Sequence, residues 1–163
     1  MNKIYLALIF TSIFISSCSS INKLNNDHFA IYLERNICLG DCPVYQMSIY
    51  DDGTVLYLGN LHVEILGNAV AKLKHKQITD LIDQIRESNV MAYKRYSNQP
   101  AYDAPTVKIS VMFNNEWSFV YYYLTGSNSG IPLELRIFEC NIEKIVGTDQ
   151  WTGHHTLCKN ILK

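Results

Sequence analysis

The stretch VYQMSIYDDGTVLYL, residues 44–58, decides the fold. Tyr45, Met47 and Ile49 alternate with other residues, the period-two signature of a strand with one buried face. Asp52-Gly53 follows and marks a hairpin, because glycine accepts the positive φ that a tight turn needs. Thr54 to Leu58 then reads as the returning strand. An antiparallel pair is therefore the unit around which the rest is arranged.

Working outward, Phe29-Ala30-Ile31-Tyr32-Leu33 alternates as an earlier strand. On the other side, Gly59-Asn60 reads as a turn, and Leu61, Val63 and Ile65 as one face of a fourth strand. Ile78, Leu81, Ile82 and Ile85 keep helical spacing, predicting an amphipathic helix over about His75 to Ser88. Its start is poorly capped, with Lys74 where Ser, Thr or Asp would help. Tyr96 to Pro105 reads as a loop. Val107, Ile109, Val111 and Phe113 share one face of the next strand. Asn114-Asn115 turns the chain, and Trp117, Phe119, Tyr121 and Tyr123 share one face of its partner. After a Gly126 to Gly130 loop, Pro132 opens a second helix with a stripe of Leu135, Phe138, Ile142 and Ile145, and Gly147 ends it. The predicted order is β-β-β-β-α-β-β-α. This is an α+β fold, a mostly antiparallel sheet of about six strands with two helices.

The chain has 163 residues, a length that suits one domain. Hydrophobic residues make up 48% and charged residues 18%, the balance of a folded globule. The net charge of −1 supplies no basic field for nucleic acid, so no nucleic-acid partner is expected.

Residues 1–17 read as a targeting segment. Lys3 precedes an apolar run from Ile4 to Ile15, interrupted only by Thr11 and Ser12. Twelve residues span about 18 Å as a helix, short of a hydrocarbon core of about 30 Å, so a cleaved signal fits better than a membrane span. Ile15-Ser16-Ser17-Cys18 resembles the lipobox of bacterial lipoproteins. That resemblance implies that Cys18 becomes the mature N-terminus and carries acyl chains, which would place the protein in the bacterial cell envelope, periplasmic or outer-membrane facing, with the membrane as a partner. Residues 18–28 are polar and Asn-rich, a tether. The domain then occupies residues 29–163, with a core over 29–151 and a tail over 152–163.

Four cysteines remain once Cys18 is assigned to lipid: Cys38, Cys42, Cys140 and Cys158. An even number in an exported protein suggests two disulfides, and count alone leaves three pairings. Cys38 and Cys42 lie between two predicted strands with Gly40 to relax the turn, so they form the local pair. Cys140 lies off the main stripe of the second helix, on a stripe that something must cover, and a bond to Cys158 would staple the tail there. Four free thiols, or a Cys140 buried as a small hydrophobe, are the alternatives. Cys38-x-x-x-Cys42-Pro43 also looks like the copper-binding stretch of the Sco chaperones, with His154 or His155 to complete a site. In that family the motif precedes a helix, whereas here it leads into an alternating strand. Copper binding or thiol redox chemistry by this pair is therefore the second functional reading.

Elsewhere, His154-His155-x-x-Cys158 lies in a tail without a fixed scaffold. Lys72, Lys74 and Lys76 suit a solvated helix entrance. Asp103 in Asp103-Ala104-Pro105-Thr106 is placed to meet a ligand, though Asp and Pro belong in any strand-entry turn. Tyr122 reads as an exposed ring on an edge strand, able to meet a glycan or peptide. Tyr45, Asp103 and Tyr122 are thus the candidate binding residues. No catalytic triad, phosphate loop or metal-ligand spacing stands out, so no catalytic residue, cofactor or metal is expected.

Arg35-Asn36-Ile37-Cys38-Leu39-Gly40-Asp41-Cys42-Pro43-Val44-Tyr45, followed by Ile49-Tyr50-Asp51-Asp52-Gly53-Thr54-Val55-Leu56-Tyr57, resembles an uncharacterised bacterial domain-of-unknown-function family, number 6438. Weaker echoes are Asp103-Ala104-Pro105-Thr106 and Gly147-Thr148-Asp149-Gln150-Trp151. The resemblance spans about residues 29–151 and rests on the Cys-x-Gly-x-Cys-Pro-x-Tyr core. Lys74 departs from it, standing where that family tends to place a Ser cap. The family carries no assigned activity, so the resemblance speaks to domain limits. The expected role is a lipid-anchored, non-enzymatic envelope domain that binds or scaffolds an envelope protein or glycan.

Overall fold

The strand β1, Phe29–Arg35, lies at the centre of the sheet. The computed structural model describes residues 27–124, 130–153 and 158. The decisive hairpin is present as β2, Val44–Tyr50, and β3, Thr54–Leu61. Gly53 in its turn has φ 83° and donates its N–H to the Tyr50 carbonyl at 2.8 Å. It also lies under the first helix: a Cβ there would come 2.9 Å from Ile78 Cδ1, so the turn residue serves packing as well as φ.

The remaining elements are β4, Gly67–Lys72; α1, His75–Glu87; a 3-10 turn, Val90–Ala92; β5, Arg95–Ser97; β6, Thr106–Phe113; β7, Glu116–Tyr123; α2, Leu133–Val146; and the single turn α3, Asp149–Thr152. The strands form one sheet in the order β4-β3-β2-β1-β6-β7-β5. All neighbours are antiparallel except β5 and β7, which run parallel. The fold class is α+β. One face of the sheet carries Ile31, Leu33, Met47, Ile49, Ile109 and Val111, all buried, and the stripes Leu81-Ile82-Ile85 of α1 and Leu135-Phe138-Ile142 of α2 join them in the same core.

Both helices start and stop for local reasons. Lys74 offers no cap, but Gln77 supplies one: its side-chain carbonyl accepts the Lys74 N–H at 3.0 Å, and its amide donates to Ile145 O at 2.6 Å, fixing α1 to α2. Gly147 ends α2 in the left-handed region, φ 75°. Asn114 and Asn115 both take positive φ, 49° and 67°, in the β6–β7 turn.

Three local expectations are corrected. Gly59-Asn60 does not turn; β3 continues to Leu61, and the fourth strand is β4 rather than the Leu61-Val63-Ile65 segment. Gly59 is needed for close approach, since a Cβ there would fall 2.1 Å from Ile65 O. The stretch expected as a loop from Tyr96 to Pro105 is not all loop: Tyr96 and Ser97 belong to β5, which brings the sheet to seven strands. The third correction is Tyr122, which is buried. It stands opposite Val107, and Val120 opposite Ile109, so β7 turns Ser118, Val120 and Tyr122 to the core and its four other aromatics to the open face. The polar atoms of this inward row are satisfied. The Ser118 hydroxyl lies 2.8 Å from Val90 O and 2.6 Å from Tyr93 O, and the Tyr122 hydroxyl meets Glu139.

Candidate functional site

The family-like signature folds into the turn that joins β1 to β2. Cys38 and Cys42 are disulfide-bonded, with Cα atoms 5.9 Å apart. Gly40 takes φ 123°, a conformation closed to most side chains, and Pro43 is buried where the chain enters β2. Asn36 N–H bonds Thr106 O at 3.0 Å and ties the base of the turn to β6. The tip carries apolar side chains in solvent: Ile37 is 64% and Leu39 78% exposed. His62 Nδ1 lies 3.6 Å from Asp41 Oδ1, which brings the β3–β4 turn alongside. That turn adds Ile65 and Leu66, also exposed.

Beneath the turn lies a buried ion network that sequence reasoning missed. Arg35, the last residue of β1, is 3% exposed. Its Nε donates to Glu143 Oε1 at 2.6 Å and its Nη2 pairs with Glu139 Oε1. The Tyr45 hydroxyl donates to the same Glu143 oxygen and lies 3.3 Å from Arg35 Nε. The Tyr122 hydroxyl donates to Glu139 Oε2, and Arg136 Nε lies 3.5 Å from that oxygen. Two guanidinium groups thus face two carboxylates, and two tyrosines complete the shell. Burial works against the Arg35 charge, but Glu139 and Glu143 hold its pKa well above the ordinary value. Burial first, and then the Glu143 charge, push the Tyr45 hydroxyl well up; burial and Glu139 do the same to Tyr122.

The second disulfide closes this network from the helix side. Cys140 and Cys158 are bonded, with Cα atoms 5.5 Å apart. Cys158 Sγ lies 3.2 Å from Glu143 Oε2 and 3.8 Å from Arg35 Nη2. Among the described residues, Cys140, Glu143 and Cys158 form a metal-competent cluster, with donor atoms within 4.8 Å. The two sulfurs are bonded to each other, so no thiolate is available to an ion in this state. Cys38 and Cys42 are likewise joined, and a strand follows them, not a helix.

The sequence candidates therefore separate. Tyr45 and Tyr122 are both buried in the ion network, so neither presents a ring to a partner; they are supports of the turn. Asp103 is exposed at φ 56° in the loop before β6. Cys18, the signal segment, His154 and His155 lie outside the described residues. The missed residues did leave a signal. Glu139 follows Leu135 by four positions on an otherwise apolar helix face, and a carboxylate placed there demands a cation, which Arg35 in the signature supplies.

A seven-stranded mixed sheet with two helices on one face, and a disulfide-closed turn seated on a buried Arg-Glu-Tyr network, defines a small α+β domain. The chain belongs to a family described as a domain of unknown function (DUF6438), whose family model matches residues 29–146. No curated protein matches it at a significant level.

Proposed function

We propose that this chain is a lipid-anchored domain of the bacterial cell envelope, and that it binds or scaffolds an envelope protein or glycan through the turn of residues 36–43 without catalysing a reaction. One observation carries the reading. Ile37 and Leu39 stand in solvent on a turn closed by the Cys38–Cys42 disulfide and seated on the buried Arg35 network. Apolar groups held rigid in water lose little conformational entropy when a partner covers them. The tether enters at residue 28, at the opposite end of β1 from Arg35, so the turn lies at the far end of the strand from the anchor. The anchor is the proposed acylated Cys18.

Two experiments test the two halves separately. Cys18→Ser should abolish incorporation of a labelled fatty acid and release the protein from the membrane fraction; continued labelling removes the anchor. A photo-crosslinking residue at Leu39 in the full chain should give a discrete adduct in the envelope. Cys38→Ala with Cys42→Ala should weaken that adduct, and the oxidised protein should take up no Cu(I). An adduct at Leu39 that is indifferent to the loss of the disulfide would remove the rigid-turn reading, and stoichiometric Cu(I) binding lost on Cys42→Ser would favour metal chemistry instead.

A further inference from the structure

β4 is the outer strand on its side of the sheet, paired only with β3. Among the described residues, no other backbone group bonds to its outward-facing N–H and C=O groups. Edge strands are commonly blunted by proline, a bulge, an inward charge or extreme shortness. The opposite edge is blunted in the last way, because β5 has three residues. β4, GNAVAK, is twice that length, contains no proline and pairs with β3 without a register shift. Its single charge, Lys72, stands at its end and is held by Asp52 at 3.0 Å. Its open face is apolar at the centre: Val70 is 70% exposed and lies beside exposed Leu56 of β3.

We propose that β4 pairs antiparallel with β4 of a second copy of this chain about a two-fold axis at Val70, joining the two sheets into one. The pleat selects this register. Opposed residues must share a face, so a two-fold pairing is centred on a residue. Centred on Ala69, it would set Val70 against Asn68; centred on Ala71, against Lys72. Centred on Val70, it sets Val70 against Val70, Ala69 against Ala71 and Asn68 against Lys72. Apolar then meets apolar and small meets small. Each Lys72 meets a neutral amide, and the two lysines lie at opposite ends of the pair. The row Leu56-Val70 of one copy continues into Val70-Leu56 of the other, covering the apolar groups that this edge leaves in water. The interface uses none of the residues of the disulfide-closed turn, so it stands or falls independently of the functional reading above.

Oxidative cross-linking of the full chain in the envelope tests the contact and its register together. Val70→Cys should form a disulfide-linked dimer on a non-reducing gel. Asn68→Cys and Lys72→Cys should each stay monomeric alone and give a dimer when the two chains are co-expressed. As a second measurement, the purified wild-type chain should sediment as a dimer and the Val70→Lys chain as a monomer with an unchanged native circular dichroism spectrum. A monomeric Val70→Cys chain, an equal dimer yield from Asn68→Cys alone, an adduct of Val70→Cys with a different protein, or a wild-type chain that sediments only as monomer would each overturn the proposal.

Discussion

Arg35 is a buried cation held by two carboxylates. Its guanidinium holds Glu139, fully buried, and Glu143 together with the Tyr45 hydroxyl. Removing one partner of a buried pair leaves the other charge without compensation, which costs about 3–5 kcal/mol. Arg35→Met should therefore lower the unfolding free energy measured in urea by that much, and adding Glu139→Gln with Glu143→Gln should recover a large share. Arg35→Lys should resemble the methionine variant, because a single ammonium does not reproduce the planar fork that meets two carboxylates. Asp52 makes a smaller and opposite case. The Thr54 backbone N–H, then Lys72 and the Thr54 hydroxyl, lower its pKa from the ordinary 3.8 to about 2. A depressed carboxylate stabilises the fold above its ordinary pKa and loses that contribution as pH falls toward the folded value. The acid limb between about pH 4 and 2 should flatten in Asp52→Asn, measured by unfolding at each pH.

At the scale of elements, the two disulfides do different jobs. Cys140–Cys158 closes a loop of 18 residues and pins the tail to α2 beside Glu143. Replacing both with Ser should cost about 3 kcal/mol on the loop-entropy relation. Cys38–Cys42 closes a separation of 4, so its double Ser variant should cost less stability, with the larger effect on order at Leu39, read as faster amide exchange across residues 36–43. A result in which the short bridge is the more stabilising would contradict this division. The helices were legible at this scale. The spacing of Ile78, Leu81, Ile82 and Ile85 and the stop at Gly147 are local signals, and α1 and α2 fall where those signals put them. β4 and β5 were not legible. GNAVAK and RYS have weak strand character of their own, and each becomes a strand because β3 or β7 offers it a hydrogen-bonding edge.

Over the whole molecule, the core is unusual in holding three nearly inaccessible tyrosines, Tyr45, Tyr57 and Tyr122. Tyr57 stacks on Trp151 at 4.9 Å between ring centroids, and burial pushes its hydroxyl up to about 12. A raised tyrosine pKa means that the unfolded chain ionises first. Stability is therefore intact below the ordinary value of 10 and declines as pH rises toward the folded one. The protein should lose stability from about pH 10 to 12, and a set of tyrosinates should appear in absorbance only together with the loss of fold. Smooth ionisation of every tyrosine with native circular dichroism would refute the closed core.

Alternation over residues 44–58, the Asp-Gly and Asn-Asn turns and two helical stripes were enough to reach an α+β sheet domain, and the four cysteines beyond Cys18 allowed two bridges. Each of those signals is local, or depends only on number. Which face of β7 turns inward, why Glu139 sits on an apolar stripe, and that Tyr45 supports the turn from beneath depend on partners 17 to 108 residues away. Opposite charges and a hydroxyl far apart in the chain acquire a reason only when the folded sheet carries Arg35 under α2. That is why the turn could be read from the amino acids, while the network that holds it left only the Glu139 carboxylate on its apolar stripe as a sign.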